Sequence, residues 1–206
     1  MLKLYFAPRT ISIAVAIALE EAGLPYEAIK VDFKTAEQTS PIYLAVNPKG
    51  RVPALATSDG TVLTETGALL DYVAALSPSA QLVPSDPSEA AKMRGVMYYL
   101  ASTMHVAHAH KLRGSRWADQ PSSFEDMAAK VPETMTACAA FVEAECLAGD
   151  YVLGDDFSLA EPYLFVVCNW LSGDGVNVED FPTIQGFMAR MEARPSVQSV
   201  RERGML

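Results

Sequence analysis

The first half of the chain alternates between short apolar runs and one long one. Leu2–Phe6 (LKLYF) is a compact apolar run of strand-forming residues, and Ser12 to Ala22 is apolar at nearly every position until Gly23 supplies a helix stop. Tyr26 to Asp32 (YEAIKVD) alternates as a half-buried strand does. Leu55 to Thr57 and Thr61 to Thr64 flank Ser58-Asp59-Gly60, a hairpin signal, after which Leu69, Tyr72, Val73 and Leu76 recur at helical spacing. The order is βαβ, an irregular middle, then ββα.

The second half changes character. Residues 77–87 (SPSAQLVPSDP) are rich in Pro and Ser without periodicity, which marks a linker. Asp86-Pro87-Ser88-Glu89 then opens a helix, with Asp as N-cap, Pro at N1 and a Glu at N3 placed to complete a capping box. Helices are expected over Ser88–Gly114, Phe124–Leu147, Leu159–Leu171 and Thr183–Ala193, with almost no strand signal among them. In the last, Ile184, Phe187, Met188 and Met191 form an i, i+3, i+4, i+7 stripe that Arg194-Pro195 ends. The pattern predicts α/β followed by all-α: an α/β domain over 1–77, a linker over 78–87 and a helical domain over 88–206.

Composition narrows the function. Half of the 206 residues are hydrophobic and a fifth charged, as in a globular protein. Sixteen basic against 25 acidic residues give a net charge of −9, which argues against nucleic acid and against docking on an anionic membrane. The run Ile11 to Leu19 resembles the core of a signal peptide, but it is too short to span a bilayer and Glu20 and Glu21 follow it directly. A buried helix is expected there. Cys138 and Cys146 fall in one predicted helix, where eight residues rise about 12 Å and no bridge can form. Together with Cys168 they suit a reducing cytoplasm.

Two segments of the first half carry candidate chemistry. In Asn47-Pro48-Lys49-Gly50-Arg51-Val52-Pro53-Ala54-Leu55, Pro53 stands at the entry to a strand, where it cannot donate to the sheet. A cis Val52-Pro53 bond would turn the Val52 backbone outward to pair with a ligand's main chain. In Leu63-Thr64-Glu65-Thr66-Gly67-Ala68 a strand runs straight into a helix, whose free N–H groups adjoin a carboxylate and a small hydroxyl. Such a site holds one carboxylate and one ammonium together, as the end of an amino acid or peptide requires.

These segments, with LASTMHVAH (100–108), GDDFSLAEPYLF (154–165) and FPTIQGFMARMEARPSV (181–197), resemble the cytosolic glutathione S-transferases, most of all the bacterial beta class. The resemblance covers nearly the whole chain. It implies a thioredoxin-like N-terminal domain, an all-helical C-terminal domain, a homodimer, and glutathione as co-substrate held mainly by the first domain. By position it assigns glutathione binding to Arg51, Val52, Pro53, Glu65 and Thr66: Val52 for the cysteinyl backbone, Glu65 and Thr66 for the γ-glutamyl end. Lys34 and Lys49 both remain open for the glycyl end.

The beta class carries a loop cysteine, reading roughly P-x-x-C-S. Here the loop is Pro8-Arg9-Thr10-Ile11-Ser12, so Ile11 takes the cysteine's place and a mixed disulfide at that position is excluded. A hydroxyl route remains, in which a donor and the positive end of the following helix stabilise the glutathione thiolate. Ser12 is the first candidate, Thr10 the second, and Tyr5, in a Tyr-Phe context like that of the tyrosine classes, the third. Phe6, Tyr98 and His105 are implied for the second-substrate pocket. His105 and His108 share a helix face, but no cysteine or acid at helical spacing completes a metal set; His108 and His110 read as ordinary polar-face residues. Ser158 and Glu161 read as a capping box. The function implied is addition of activated glutathione to a small apolar electrophile. The loss of the loop cysteine keeps a second reading open, a non-catalytic ligand-binding or scaffold protein of the same fold.

Overall fold

The computed structural model describes residues 1–206. The chain divides into two compact units, one of Met1–Ser85 with Glu192–Leu206 and one of Asp86–Met191. The division between Ser85 and Asp86 falls within the Pro- and Ser-rich stretch. The helical domain expected over 88–206 is corrected at its far end, because the last segment returns to the first unit.

In the first unit, strands β1 (Leu2–Phe6), β2 (Tyr26–Lys30), β3 (Ala54–Ala56) and β4 (Val62–Thr64) form one sheet in the order β2-β1-β3-β4. β1 pairs with β2 in parallel through helix α1 (Ser12–Glu21), while β3 runs antiparallel to both β1 and β4. α1 is apolar on every side because every side is covered: Ser12 through Leu19 are all buried. Burying Ile13, Val15, Ile17 and Leu19 contributes roughly 1.5–3 kcal/mol each relative to exposure. Gly23, at φ +63°, ends the helix as the sequence predicts.

α3 (Thr66–Leu76) packs against α1. α2 (Pro41–Val46) lies in the stretch read as irregular; Ser40 caps it by accepting from the Tyr43 N–H, and Pro41 fills its first turn. Arg194-Pro195, which ends the preceding helix, also opens α9 (Pro195–Glu202). It rests on α1, where Arg194 makes a two-pronged pair with Glu21 (Nε 2.7 Å, Nη2 2.8 Å) and Ser196 Oγ donates to the same carboxylate.

The second unit is helical: α4 (Pro87–Tyr99), α5 (His105–Ala109), α6 (Pro121–Phe141), α7 (Ala160–Cys168) and α8 (Pro182–Glu192). Asp86 caps α4 by accepting from the Ser88 and Glu89 N–H groups. The expected reciprocal half of that box is corrected, since Glu89 pairs with Lys92. Of the two long helices expected, the first is interrupted by a π turn, Leu100–Met104 before α5, and the second ends in one, Val142–Cys146 after α6. The Ser158/Glu161 box is present and fully buried: Glu161 accepts from the Ser158 N–H, the Ser158 hydroxyl and the Val152 N–H, and Ser158 Oγ accepts from the Ala160 N–H. Burial pushes the Glu161 carboxyl above its usual range against those three donors. All three cysteines are free and buried, and burial raises the Cys146 thiol to about 11 and Cys168 further still. No helix is long and apolar enough to cross a membrane.

Candidate functional site

The antiparallel register of the first unit assembles the site. Ala54 pairs with Thr64, so Val52 on one strand's approach and Thr66 on the other's exit belong to the same end of the ladder. The Val52-Pro53 bond is cis, and the β3 ladder begins only at Ala54, leaving the Val52 N–H and C=O outside it.

The loop before Val52 is held from beneath. Asn47 is buried; its Nδ2 donates to the Arg51 carbonyl at 2.7 Å and its Oδ1 accepts from the Lys49 N–H at 3.1 Å. The Tyr43 hydroxyl donates to the same Arg51 carbonyl at 2.7 Å. Burial pushes the Tyr43 phenol up to about 12, so it remains a donor. Gly50 turns the loop at φ +59°, and a Cβ there would meet the Gln38 carbonyl oxygen at 3.0 Å. Tyr43, Asn47 and Gly50 are supports that sequence reasoning missed; N-P-K-G showed a turn but not which groups brace it.

On the other side of the ladder, Glu65 precedes α3 with φ +74° and ψ +119°, a backbone conformation that a non-glycine residue adopts only where its surroundings impose it. Its carboxylate projects outward and meets Lys49 Nζ at 2.5 Å, while Lys49 also donates to Thr64 Oγ1 at 2.9 Å. Thr66 is buried at the first position of α3. The first helical bond runs from the Leu69 N–H to the Glu65 carbonyl, so the N–H groups of Thr66, Gly67 and Ala68 are the unpaired donors of the helix start. One carboxylate, one ammonium-bearing side chain, a hydroxyl and a positive helix end therefore lie at the end of the β3–β4 ladder, where the Val52 backbone leaves it.

The loop after β1 holds the three candidate hydroxyls. Ser12 has no exposed surface, and its Oγ is engaged on three sides: it accepts from the Ala7 N–H (3.2 Å), lies 3.3 Å from the Ala7 carbonyl and 2.7 Å from Thr10 Oγ1. In this conformation the Ser12 hydroxyl is turned inward, onto Ala7 and Thr10. Thr10 is partly exposed, and its Oγ1 donates to the Ala7 carbonyl at 2.8 Å. Tyr5 packs with Ala7, Val31, Tyr43 and Val52 on one face of the sheet, edge-on to the Tyr43 ring at 5.9 Å. Ile11 is buried just ahead of α1, and Phe6 is buried at the end of β1.

The remaining expected residues lie in the second unit. Tyr98 is largely exposed on α4. His105 is half-buried with its ring edge-on to Trp170 at 5.0 Å. His108 is corrected from an ordinary polar-face residue: its ring stacks on Trp170 at 4.1 Å and its Nδ1 meets the buried Asp174 carboxylate at 2.6 Å, where Lys111 also converges at 3.4 Å. His110 lies edge-on to Trp117 at 4.5 Å. No group of three or more His, Cys, Asp or Glu is placed to hold a metal ion.

The chain was compared with known proteins on sequence and on fold. Residues 1–75 match the family model "Glutathione S-transferase, N-terminal domain" and residues 103–195 the model "Glutathione S-transferase, C-terminal domain". The chain is 32% identical over 199 residues to glutathione S-transferase GstA of Escherichia coli O157:H7, covering 96% of each. It is 30% identical to maleylacetoacetate isomerase of Pseudomonas aeruginosa, covering 95% of this chain and 93% of that one. A crystal structure of a glutathione transferase homologue from Sulfitobacter with bound glutathione is 70% identical and superposes with a TM-score of 0.99, covering 100% of this chain and 99% of that one.

Proposed function

The chain belongs to the glutathione S-transferase family, and from that premise we propose that it holds glutathione along the first unit and adds the glutathione thiolate to a small apolar electrophile. It is a glutathione transferase, with glutathione as co-substrate. The observation that carries the binding mode is the juxtaposition of the free Val52 backbone with Glu65 and Thr66 at the start of α3. In our reading, Val52 pairs with the cysteinyl main chain beside Pro53. Glu65 takes the γ-glutamyl ammonium, and Thr66 with the helix N–H groups takes the γ-glutamyl carboxylate. Lys49, already against Glu65, belongs to this end rather than to the glycyl end, and Arg51 flanks the cysteinyl position.

Thiol activation follows from counting protons in the loop. Thr10 and Ser12 have two hydroxyl protons between them, and Ser12 can donate to Thr10 Oγ1. That leaves the Thr10 proton free to swing from the Ala7 carbonyl to the ligand sulfur. We therefore assign Thr10 as the hydroxyl facing the sulfur and Ser12 as the group that orients it, with the N-terminus of α1 adding positive potential. A free thiol titrates near 8.5, so stabilising the anion raises the fraction of nucleophile at neutral pH. Tyr5, packed into an apolar cluster, is the weaker candidate.

Phe6, Tyr98 and His105 are proposed to line the electrophile's pocket. The similarity to an isomerase supports isomerisation as a side activity. A homodimer and a cytoplasmic setting are part of the same proposal, the latter supported by three free buried thiols. A non-catalytic carrier is not favoured by any feature of the site. Calorimetric titration tests the binding mode. Glutathione is expected to bind at micromolar to millimolar concentration, and the dipeptide cysteinylglycine, which lacks the γ-glutamyl end, at least about tenfold more weakly. Equal binding of the two would refute the roles of Glu65 and Thr66.

A further inference from the structure

We infer that the C-terminal segment of the chain is a positioning clasp for the thiol-facing loop, acting through the main-chain carbonyl of Met205. The inference rests on the assignment of Thr10 above, but its geometry stands independently. α9 ends in a tight reversal: the Gly204 N–H donates to the Arg201 carbonyl at 2.9 Å and the Met205 N–H to the Val200 carbonyl at 3.0 Å, with Gly204 at φ +68°. This is the Schellman arrangement, which needs a left-handed residue at Gly204 and folds the next side chain back onto the helix. Val200 and Met205 are accordingly both buried.

The reversal aims the Met205 carbonyl at the loop after β1, where it accepts from the Arg9 N–H at 2.9 Å. Arg9 is the residue next to Thr10, and it is held at φ +59°, a conformation that a non-glycine residue keeps only where its neighbours fix it. Within the loop, the Thr10 N–H and hydroxyl both close back on the Ala7 carbonyl, at 3.4 and 2.8 Å. The Met205 bond reaches the loop from another element, at its backbone.

That element is itself anchored to α1. Arg194 and Ser196 hold Glu21, and Arg203 reaches Glu20 at 2.8 Å while its guanidinium lies 4.4 Å over the Tyr26 ring. Tyr26 donates to the same Glu20 oxygen at 2.9 Å. α1 is thus gripped near its C-terminal end by α9, while the loop that leads into its N-terminal end is held by the residue that follows α9. The distance between loop and helix start, on which the Thr10 and Ser12 hydroxyls depend, is fixed from both sides. Met205 touches no reacting atom; its role is to set the register of the residues that do.

The test uses the full chain, a variant lacking Met205 and Leu206, Gly204→Val, and Met205→Leu. The last keeps both the carbonyl and the packing. Three quantities are read: affinity for glutathione, the apparent pKa of the bound thiol from thiolate absorbance, and hydrogen exchange at the Arg9 amide. Shortening the chain is expected to leave glutathione affinity within about threefold, raise the bound thiol's pKa by about one unit, and remove protection at Arg9. Gly204→Val, which leaves the chain whole, is expected to do the same, and Met205→Leu to match wild type. Should the shortened chain fail to fold, Gly204→Val decides alone. Unchanged Arg9 protection in either variant overturns the clasp. If protection is lost and the thiol pKa does not move, the clasp as a positioning device is also overturned, unless Thr10→Val likewise leaves the pKa unmoved. In that case the Thr10 assignment is what fails, and lost Arg9 protection sustains the clasp.

Discussion

The Arg51 carbonyl accepts two hydrogen bonds of 2.7 Å, one from Tyr43 Oη and one from Asn47 Nδ2, and this double support makes a quantitative prediction about the loop that presents Val52. Tyr43→Phe removes one donor and leaves the carbonyl paired, at a cost of about 1 kcal/mol, the net worth of one hydrogen bond. Asn47→Ala removes the other donor and also unpairs the Lys49 N–H, at about 2 kcal/mol, since Asn47 is buried. The double variant leaves the carbonyl with neither donor, so the desolvation cost appears only there. The double loss should exceed the sum of the singles by about 1 kcal/mol.

The assay is denaturant unfolding of the four proteins at one protein concentration, with glutathione titrated into each. Affinity should fall in the same order as stability, because Val52 follows Arg51 directly. Additive losses, or a double variant with wild-type affinity, would refute the idea that these two donors brace the ligand-facing backbone.

Other expectations follow from the same structure. Gly50→Ala places a Cβ 3.0 Å from the Gln38 carbonyl at φ +59° and should cost about 1–2 kcal/mol, read as a lower melting temperature with weaker glutathione binding. Ser158→Ala removes the buried cap of α7 and should cost about 1–2 kcal/mol of stability while kcat stays at the wild-type level; unchanged melting would count against the cap. For Glu143, burial pushes the carboxyl up, but hydrogen bonds from Thr183 and Ile184 at the start of α8 outweigh it, so the folded pKa lies below the ordinary 4.5. Its contribution to stability is therefore present above pH 4.5 and lost as pH falls through the lowered folded value; Glu143→Gln should flatten the acid limb of a stability–pH curve, and an unchanged limb would refute the pairing.

Much of the architecture was legible because single residues enforce it. Gly23 stops α1, Asp86 and Pro87 start α4, and Pro53 at a strand entry marked the turn at which Val52 leaves the ladder. What escaped was either too short for periodicity or dependent on distant partners. α2 has only the Ser40-Pro41 cap to signal it, and Arg194-Pro195, read as a helix end, is equally the start of α9. The π turns change the helical period without changing composition. The sequence placed Ser12 at a helix start but could not show its Oγ turned inward onto Ala7 and Thr10, nor that His108 would find Asp174 across 66 residues.

The most direct test of thiol activation by Thr10 is the pKa of the glutathione thiol bound to wild type, Thr10→Val and Ser12→Ala, followed by thiolate absorbance against pH and paired with calorimetry. The geometry predicts that wild type lowers the thiol pKa well below the free value of about 8.5, that Thr10→Val raises it by about one unit without weakening glutathione binding, and that Ser12→Ala has a smaller effect. A thiol that titrates identically in wild type and Thr10→Val, or that is not lowered on binding at all, would contradict it.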